Sequence, residues 1–466
     1  MLSMAIYSSK PLPQGYSTGC CARKRTAFAI SLLLAALYLA VALCTVTAAA
    51  STPSDLPAGL PVEVCGDIGG GIWTAEHFYH VTCDATLPSD TTLTIDPGVE
   101  VRFTAGCSLT VAGTLSAIGA PGQPITFTSD RELPAPGDWS GLYFVAGSSD
   151  SQLSWCLVEY ATTGVRVYAG PGETVGPAFS DCTMRYNSLY GVLIEGYTSA
   201  CDAGLAQPAI TRCTIESNGG CGIYGYGHGD PYNGCDPLAA GSVGGVISQS
   251  IIRENQDMGI CLESERDTYG HGDVWIDIEA NAISDNGGPG VQLYGDDPVR
   301  SHIQNNLIYA NTEAGILSDA KHEEAELLVV NNTIAGNAGD GVVFKRSAAQ
   351  VRLVNNIISE NGRYGLVCES DPVGQAANND LWNNAIDGYD RCTPGTSDIS
   401  ADPLFVDRAA ADFHLTFDSP CIDAGTSDGA PATDIEGIAR PQGEGVDIGA
   451  HELWYQYIYL PLALRE

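Results

Sequence analysis

Basic residues are scarce in this chain of 466 residues, and lysine is almost absent after residue 50. Residues 51–466 contain 17 basic residues against 56 acidic ones, a formal charge of −39, and only two of the basic residues are lysines. A surface this acidic repels nucleic acid and anionic lipid, so we exclude a nucleic-acid-binding function. The same charge is compatible with cation binding, or with a solvated shell that keeps a secreted protein soluble.

Helical periodicity and the short motifs of several enzyme classes are also missing. The repeats described below lack the 3.6-residue spacing of apolar residues that predicts helices. The chain has no nucleophile elbow, no phosphate-binding glycine loop and no spaced cysteine–histidine metal motif. No such motif therefore identifies a catalytic residue.

The chain does contain a repeat, in which an asparagine stands four residues before a glycine. The seven copies are Asn187/Gly191, Asn218/Gly222, Asn255/Gly259, Asn286/Gly290, Asn311/Gly315, Asn337/Gly341 and Asn361/Gly365. An eighth copy ends at Gly164, with Tyr160 in the asparagine position. Consecutive glycines are 24 to 37 residues apart. A period of 20–50 residues indicates a solenoid.

Each copy continues into a short run of alternating apolar residues, which predicts a strand. One such coil cannot bury its apolar face alone, but stacked coils bury a continuous column. A second column, five residues before the repeat asparagine, becomes asparagine in the later coils, at Asn281, Asn306, Asn332 and Asn356. We interpret both columns as structural, because asparagine tolerates left-handed backbone angles and can hydrogen-bond along a stack. The glycines are expected to supply a positive φ or close packing.

These Asn-x-x-x-Gly-aliphatic coils resemble the right-handed parallel β-helix repeat family, which includes pectate lyases and polygalacturonases. The resemblance covers residues 90–400. It implies an all-β, single-stranded, right-handed parallel β-helix of the pectin-lyase type, with an N-terminal cap and a short C-terminal module. One fold supports many activities, so the resemblance does not fix the function.

The two ends of the chain predict four further segments. Residues 1–50 place Arg23, Lys24 and Arg25 before an apolar run and a small-residue cleavage site, as in a signal peptide; an uncleaved membrane anchor is the alternative. Residues 51–89 are predicted to cap the first coil. Residues 401–452, which end in the run from Asp447 to Glu452, resemble the choice-of-anchor Q module, with His451 where a tyrosine is usual. Residues 453–466 form an aromatic tail that is either a sorting signal or a capping strand.

Thirteen of the sixteen cysteines follow residue 50, in a part of the chain expected to be exported and able to form disulfides. The close pairs Cys65/Cys83, Cys221/Cys235 and Cys368/Cys392 are the candidate bridges. Thirteen is an odd number, so at least one thiol remains. Sequence alone does not fix the pairing.

The longest coils contain a duplicated pentapeptide, Tyr-Gly-His-Gly-Asp, at residues 226–230 and 269–273. Insertions in a solenoid form loops on one face, which is often the binding face. The candidate ligand-binding residues there are His228, Asp230, Tyr232, Glu263, Glu265, Asp267, Tyr269, His271 and Asp273. Three interpretations stay open: a metal site using His228, Asp230, His271 and Asp273, a sugar-binding cleft, or a purely structural duplicated loop.

The enzyme motifs of the resembling families are incomplete here. Asp296 and Asp297 follow both Gly-His-Gly copies, which is the reverse of the polygalacturonase order, and no Arg-x-Lys follows them. A pectate-lyase activity would need calcium, for which acidic ligands abound, and a basic residue, for which nothing singles out one arginine. Calcium is therefore a candidate cofactor, none is certain, and no catalytic residue is assigned.

The sequence thus predicts an exported bacterial surface or secreted protein that binds carbohydrate or acts as an adhesin. A polysaccharide lyase or glycoside hydrolase acting on acidic polysaccharide is the first alternative, and a structural stalk without a ligand is the second. The expected partner is a polysaccharide or cell-surface glycan. We expect a monomer whose termini attach it to a membrane or envelope.

Overall fold

The computed structural model describes residues 61–199, 202–229, 240–265, 271–320, 322, 325–346, 350–369 and 375–454, with the backbone alone for Ser199 and His271. The predicted signal segment and residues 455–466 of the tail lie outside the described residues. Of the nine candidate site residues, Asp230, Tyr232, Asp267 and Tyr269 also lie outside them.

Three stacks of parallel strands run the length of the molecule, and each full coil contributes one strand to each stack. Stack 1 contains Ser108–Val111, Gly141–Phe144, Val165–Ala169, Val192–Ser199, Ile223–His228, Ile260–Glu265, Val291–Gly295, Ile316–Ala320, Val342–Phe344, Tyr364–Cys368 and Asp387–Asp390. Stack 2 contains Glu100–Phe103, Ile125–Ser129, Cys156–Glu159, Thr183–Arg185, Thr214–Glu216, Ile251–Arg253, Ala282–Ser284, Leu307–Tyr309, Thr333–Ala335, Ile357–Ser359 and Asp380–Trp382. Stack 3 contains Gly71–Trp73, Thr92–Ile95, Thr114–Ile118, Gln152–Ser154, Ala178–Ser180, Ala209–Thr211, Ala240–Ser248, His271–Glu279, Val299–Gln304, Glu326–Val330, Gln350–Val354 and Gln375–Ala377.

The remaining elements lie at the ends and beside the long coils. Tyr79–Leu87 pairs with strands of both stack 1 and stack 2, and Val62–Asp67 pairs with it. The shorter elements are Thr174–Val175, Asp202–Ala203, Leu205–Ala206, Phe405–Asp407, the 3₁₀ turn Arg408–Ala410 and Asp412–Leu415. The stacked parallel coils confirm the predicted β-helix. Among the described residues, no helix has the length and apolar character needed to cross a membrane.

The core is a column of like residues on like, as the repeat predicts. The residue after each repeat glycine is fully buried and lies in register with its counterpart on the next coil, for example Val192 on Ile223 on Ile260. Alternate residues of the same strands point outward. Parallel pairing at about 4.8 Å per coil keeps each inward and each outward column continuous.

Hydrogen bonds between side chains run along both asparagine columns. Asn255 Nδ2 donates to Asn286 Oδ1 at 3.0 Å, and the second column repeats this arrangement, with Asn306 Nδ2 donating to Asn332 Oδ1 at 2.9 Å. These amides are buried, and each one also bonds backbone groups, so the columns satisfy the polar groups of the coil corners. The first column is joined in this way along its whole length, through Asn187, Asn218, Asn255, Asn286, Asn311, Asn337 and Asn361.

The left-handed backbone at each corner belongs to the residue before the ladder asparagine. Asp285, for example, has φ 56° ahead of Asn286, and Ala280 has φ 54° ahead of Asn281. Tolerance of left-handed angles therefore does not explain why asparagine occupies the ladder columns. The hydrogen bonds of its side chain do explain it.

The repeat glycines lack the positive φ that is one of their two expected roles. None of the seven has a left-handed backbone, and this holds for Gly191, Gly222, Gly259, Gly290, Gly315, Gly341 and Gly365 alike. Close packing explains them instead. A Cβ on any of the first six would lie 2.6 to 2.8 Å from the carbonyl oxygen of the next repeat glycine, and one on Gly365 would lie 2.7 Å from that of Gly388. The expectation of a positive φ is wrong, because the spacing of the coils excludes a side chain here.

Two of the three candidate disulfides are present. Cys65 bonds to Cys83, and Cys368 bonds to Cys392. The proposed bridge from Cys221 is wrong, because this cysteine keeps its thiol and packs inside the coil with Sγ 3.8 Å from Sδ of Met258. Its proposed partner, Cys235, lies outside the described residues.

The segment 401–452 folds back along the outside of the later coils. Asn355 Nδ2 donates to the carbonyl oxygen of Thr426 at 2.8 Å, and Asn331 Nδ2 donates to that of Gly449 at 3.1 Å. Ile357 of stack 2 packs with Ile448 in a small apolar cluster. The segment is thus held by both polar and apolar contacts.

Candidate functional site

The described candidate residues of the long coils lie in two places. His228 and Glu265 are directly opposite each other in stack 1, and Glu263 is opposite Tyr226. Asp273 instead lies on stack 3, where it forms an ion pair with Arg300 at 2.9 Å. Burial raises the pKa of Asp273, and the nearby arginine partly offsets the rise. Asp273 therefore already has a cationic partner.

The two copies of the pentapeptide occupy different positions. The first ends a stack 1 strand at His228, whereas the second begins the stack 3 strand His271–Glu279. Their backbones nevertheless meet, since a Cβ on Gly272 would collide with the carbonyl oxygen of Gly227. The glycines of the motif let the ends of two strands approach closely. In stack 1, the counterparts of Tyr226 and His228 on the following coil are the two glutamates, Glu263 and Glu265.

His228 lies in a small polar cluster on the outer face of stack 1. Its Nδ1 is 3.0 Å from the hydroxyl oxygen of Tyr226 and 3.1 Å from Oε2 of Glu265. The ring of Tyr197, on the preceding coil, lies 5.0 Å from the imidazole centroid. The imidazole therefore has a carboxylate on one side and aromatic rings around it.

A longer row of outward residues runs through the same face. It alternates tyrosine with an acidic residue, one per coil and in register, and we name it the tyrosine–acid strip. Its members are Tyr168, Glu195, Tyr226, Glu263, Tyr294 and Asp319. With strands about 4.8 Å apart, residues of the same kind recur roughly every 10 Å. The three tyrosines are partly exposed, while Glu195 and Glu263 are 8% and 6% exposed.

Each acid of the strip has a partner that fixes its orientation. Arg166 pairs with Glu195, and Arg346 pairs with Asp319. Glu263 differs, because the hydroxyl group of Tyr224 donates to its Oε2 at 2.6 Å. Burial raises the pKa of Glu263, although the bond from the tyrosine hydroxyl lowers it in part. The strip thus combines two carboxylates paired with arginine and one carboxyl group that holds its proton more tightly.

This arrangement can bind an extended ligand more readily than it can hold a metal. The side chains form a line rather than a converging shell, and the arginines already occupy two of the three acids. Tyrosine rings offer apolar faces with a polar edge, and carboxylates accept hydrogen bonds from hydroxyl groups. The candidate residues Glu263, Glu265 and His228 belong to this surface, whereas Asp273 belongs to the adjoining stack.

Sequence reasoning named single members of the strip, such as Glu263, but did not recognise the column, although a signal for it exists. The strip occupies the fourth position after each repeat glycine, which reads Tyr, Glu, Tyr, Glu, Tyr, Asp from Gly164 to Gly315. When the repeats are aligned to find apolar residues that point inward, a column of residues that point outward is easily missed. The duplicated pentapeptide marks only one tyrosine of the strip, Tyr226.

Two family models match the chain. One, described as a right handed beta helix region, matches residues 238–396, and the other, a pectate-lyase like beta helix domain, matches residues 70–165. The description of the first agrees with the predicted handedness. No curated protein matches the chain.

Several solved structures are similar to this chain at low identity. Pectate lyase Pel9A is 15% identical over 77% of this chain and 88% of its own, with a TM-score of 0.44. The A-module of Azotobacter vinelandii mannuronan C-5 epimerase AlgE6 is 16% identical over 74% of this chain and 92% of its own, with a TM-score of 0.45. A variant of the periplasmic alginate epimerase AlgG is 12% identical over 72% and 79%, with a TM-score of 0.44. At these values no activity follows for this chain.

Proposed function

We propose that this protein is an exported β-helix that binds polysaccharide along the tyrosine–acid strip. The supporting observation is the in-register alternation of tyrosine and acid on six consecutive coils. A polysaccharide repeats along its length, and so does the strip. Equivalent side chains about 10 Å apart can therefore contact equivalent sugar residues of one chain.

The chemistry of the strip favours a neutral polysaccharide. Tyr168, Tyr226 and Tyr294 can stack on the apolar faces of sugar rings, while the intervening acids accept hydrogen bonds from ring hydroxyl groups. Arg166 and Arg346 lie against carboxylates of the protein itself. An exported chain with a charge of −39 repels an anionic polymer.

Export and surface attachment are part of the same proposal. The disulfides Cys65–Cys83 and Cys368–Cys392 are typical of proteins in an oxidising compartment. Residues 1–50 would direct export, and the choice-of-anchor Q-like segment 401–452 with its tail would attach the chain to the envelope. We propose a monomer that presents stack 1 to the glycan.

Catalysis is the second candidate, and Glu263 is the observation that favours it. A carboxyl group with a raised pKa, beside His228 and Glu265, has the properties of a general acid. Glycoside hydrolysis needs a second carboxylate on the other side of the scissile bond. Glu195, two coils away in the same strip, is the nearest in-register acid of the preceding coils.

The test is a polysaccharide screen of the full chain, with and without calcium, that records retention, reducing ends and unsaturated products in the same wells. Retention without products is expected, and it should be weaker for the double variant Tyr226→Ala/Tyr294→Ala. Product formation that is abolished in Glu263→Gln would replace the binding function with catalysis. Neither retention nor products would overturn both and leave a structural stalk.

A further inference from the structure

The segment 401–452 brings together two histidines and a glutamate that are distant in sequence. His414 lies on the strand Asp412–Leu415, Glu436 follows the turn at Asp434, and His451 lies near the end of the segment. One potential ligand atom from each of the three residues lies within 4.8 Å of the other two. This cluster is built from side chains that the glycan-binding proposal does not use.

A carboxylate holds the ring of His414 in place, as is common for histidines that bind a metal ion in proteins. Its Nδ1 lies 2.6 Å from Oδ1 of Asp412, and its Nε2 lies 3.2 Å from Oε2 of Glu436. A histidine that donates from one ring nitrogen to a carboxylate presents the lone pair of its other nitrogen to the metal. Ligand atoms around a tetrahedral zinc ion are about 3.3 Å apart, given bonds of about 2.0–2.1 Å. The separation of 3.2 Å between Nε2 of His414 and Oε2 of Glu436 therefore fits two ligands of one ion.

His451 supplies an independent observation. It is only 6% exposed, and its Nδ1 is buried with no hydrogen-bond partner among the described residues. Its ring centroid lies 4.0 Å from that of His414. A buried polar group without a partner is unusual in a folded protein, and a metal ion bound to the ring would account for its burial beside a second histidine.

Two buried acids of the segment, Asp434 and Asp447, have structural partners and do not compete for this role. Asp434 accepts hydrogen bonds from the backbone amides of Glu436, Ile438 and Glu452. Asp447 accepts them from the amides of Asp423 and Leu453. These carboxylates shape the turns that bring Glu436 and His451 to His414.

We infer that His414, Glu436 and His451 form a binding site for a zinc ion or a similar divalent transition metal. Two imidazole nitrogens with one carboxylate oxygen suit zinc, whereas calcium and magnesium prefer oxygen ligands throughout. Bound metal would tie the strand Asp412–Leu415 to the last turn of the segment. Asp412 acts as a positioning residue, since it touches His414 and not the ion.

The test is isothermal titration of the full chain with zinc chloride, after treatment with a chelator and dialysis. One zinc ion per chain is expected, and cobalt(II) in its place should give the visible absorption of a tetrahedral site. Glu436→Gln and His451→Tyr should each weaken zinc binding about tenfold or more, and Asp412→Asn about 10- to 100-fold. His302→Gln is the matched control, because His302 also faces an acid, Asp277, at 3.2 Å but lies on stack 3.

Zinc binding of unchanged affinity in both Glu436→Gln and His451→Tyr would overturn the site, as would no zinc retained by the wild-type chain. Glu436 is exposed, so its substitution leaves the fold intact even if His451→Tyr does not. Circular dichroism of each variant provides that check. Loss of binding in His302→Gln alone would move the site to stack 3 and contradict the proposal.

Discussion

The turn between stack 3 and stack 2 has the same backbone in the early and the late coils but different neighbours. Its first residue is left-handed throughout, for example at Arg212 (φ 52°) and Gln249 (φ 50°) in the early coils and at Asn355 (φ 57°) in the late ones. In the early coils these side chains face solvent or one another, as in the pair formed by Arg212 and Asp181. In the late coils they bond the segment 401–452.

The late coils achieve this with four asparagines directly before the ladder positions. Asn305, Asn331, Asn355 and Asn378 each donate from Nδ2 to a backbone carbonyl of that segment. Asparagine adopts left-handed angles more readily than most residues, and its amide reaches outward from the turn. The backbone conformation of this turn is the same in the early and the late coils. The side chain of its first residue thus determines whether the corner faces solvent or binds the segment 401–452.

The largest expected effect is on the ladder itself, which both regions share. Asn286→Ala removes an amide that accepts from the backbone and the side chain of Asn255 and donates to Ile252 and Asn311. Buried groups that lose their partners cost about 1–3 kcal/mol each, so we expect a loss of roughly 3–5 kcal/mol. Urea unfolding measures this directly. A loss below about 1 kcal/mol would show that the ladder is not stabilising.

Substitution at the docking position should have the next largest effect. Asn355 donates to Thr426 and to Asn331, and its Oδ1 accepts from the amide of Thr426. Asn355→Ala should destabilise the chain by roughly 2–4 kcal/mol, because it leaves partly buried backbone groups of Thr426 without partners. Limited proteolysis should then cleave within 401–452 before the coils. Cleavage at wild-type rates would contradict the docking role.

Asp380, which also contacts the segment 401–452, should make the free energy of unfolding depend on pH. It is fully buried, and burial raises its pKa to about 6, although bonds from the amide of Ala401 and the thiol of Cys421 act in the other direction. The folded state therefore holds this proton more tightly than the unfolded chain. Its stabilising contribution is complete below about pH 4 and is lost as the pH rises through 6.

The substitution Asp380→Asn removes that dependence. The variant should match the wild type in unfolding free energy near pH 4 and exceed it by roughly 1–3 kcal/mol at pH 7. Urea unfolding at both values gives the difference. If the variant and the wild type have equal unfolding free energies at pH 7, burial does not disfavour the carboxylate of Asp380.

The smallest effect is expected in the open turn. Gln249 has the same left-handed backbone as Asn355, but its side chain is exposed. Gln249→Ala should change the unfolding free energy by less than about 0.5 kcal/mol. This variant is the matched control for Asn355→Ala, and a similar loss in both would mean that the backbone angle, and not docking, accounts for the effect.

The repeat made the coils predictable, because one period of the sequence corresponds to one turn of the backbone. Inward residues such as Ile223 and Ile260, and ladder residues such as Asn255, could be placed from the alignment alone. The proposed bridge from Cys221 failed because a short spacing does not show whether a cysteine points into the coil. The period of the repeat predicts the position of a residue within its coil more reliably than it predicts the residue to which a cysteine bonds.

The candidate sites were harder to predict, for two physical reasons. The tyrosine–acid strip was present as a column, but its role depends on exposure and on arginines such as Arg166 that lie at another outward position. The cluster of His414, Glu436 and His451 is brought together by irregular turns. No period relates these residues, so only the folded chain shows them side by side.

The most direct test of the central claim compares two sets of tyrosines for binding to the polysaccharide that the screen retains. Tyr226 and Tyr294 lie on the strip, whereas Tyr186 is 38% exposed at a coil corner and stacks on Tyr160. Affinity electrophoresis should show binding weakened about tenfold or more in Tyr226→Ala/Tyr294→Ala and unchanged in Tyr186→Ala. Equal retention of the double variant and the wild type would contradict the account.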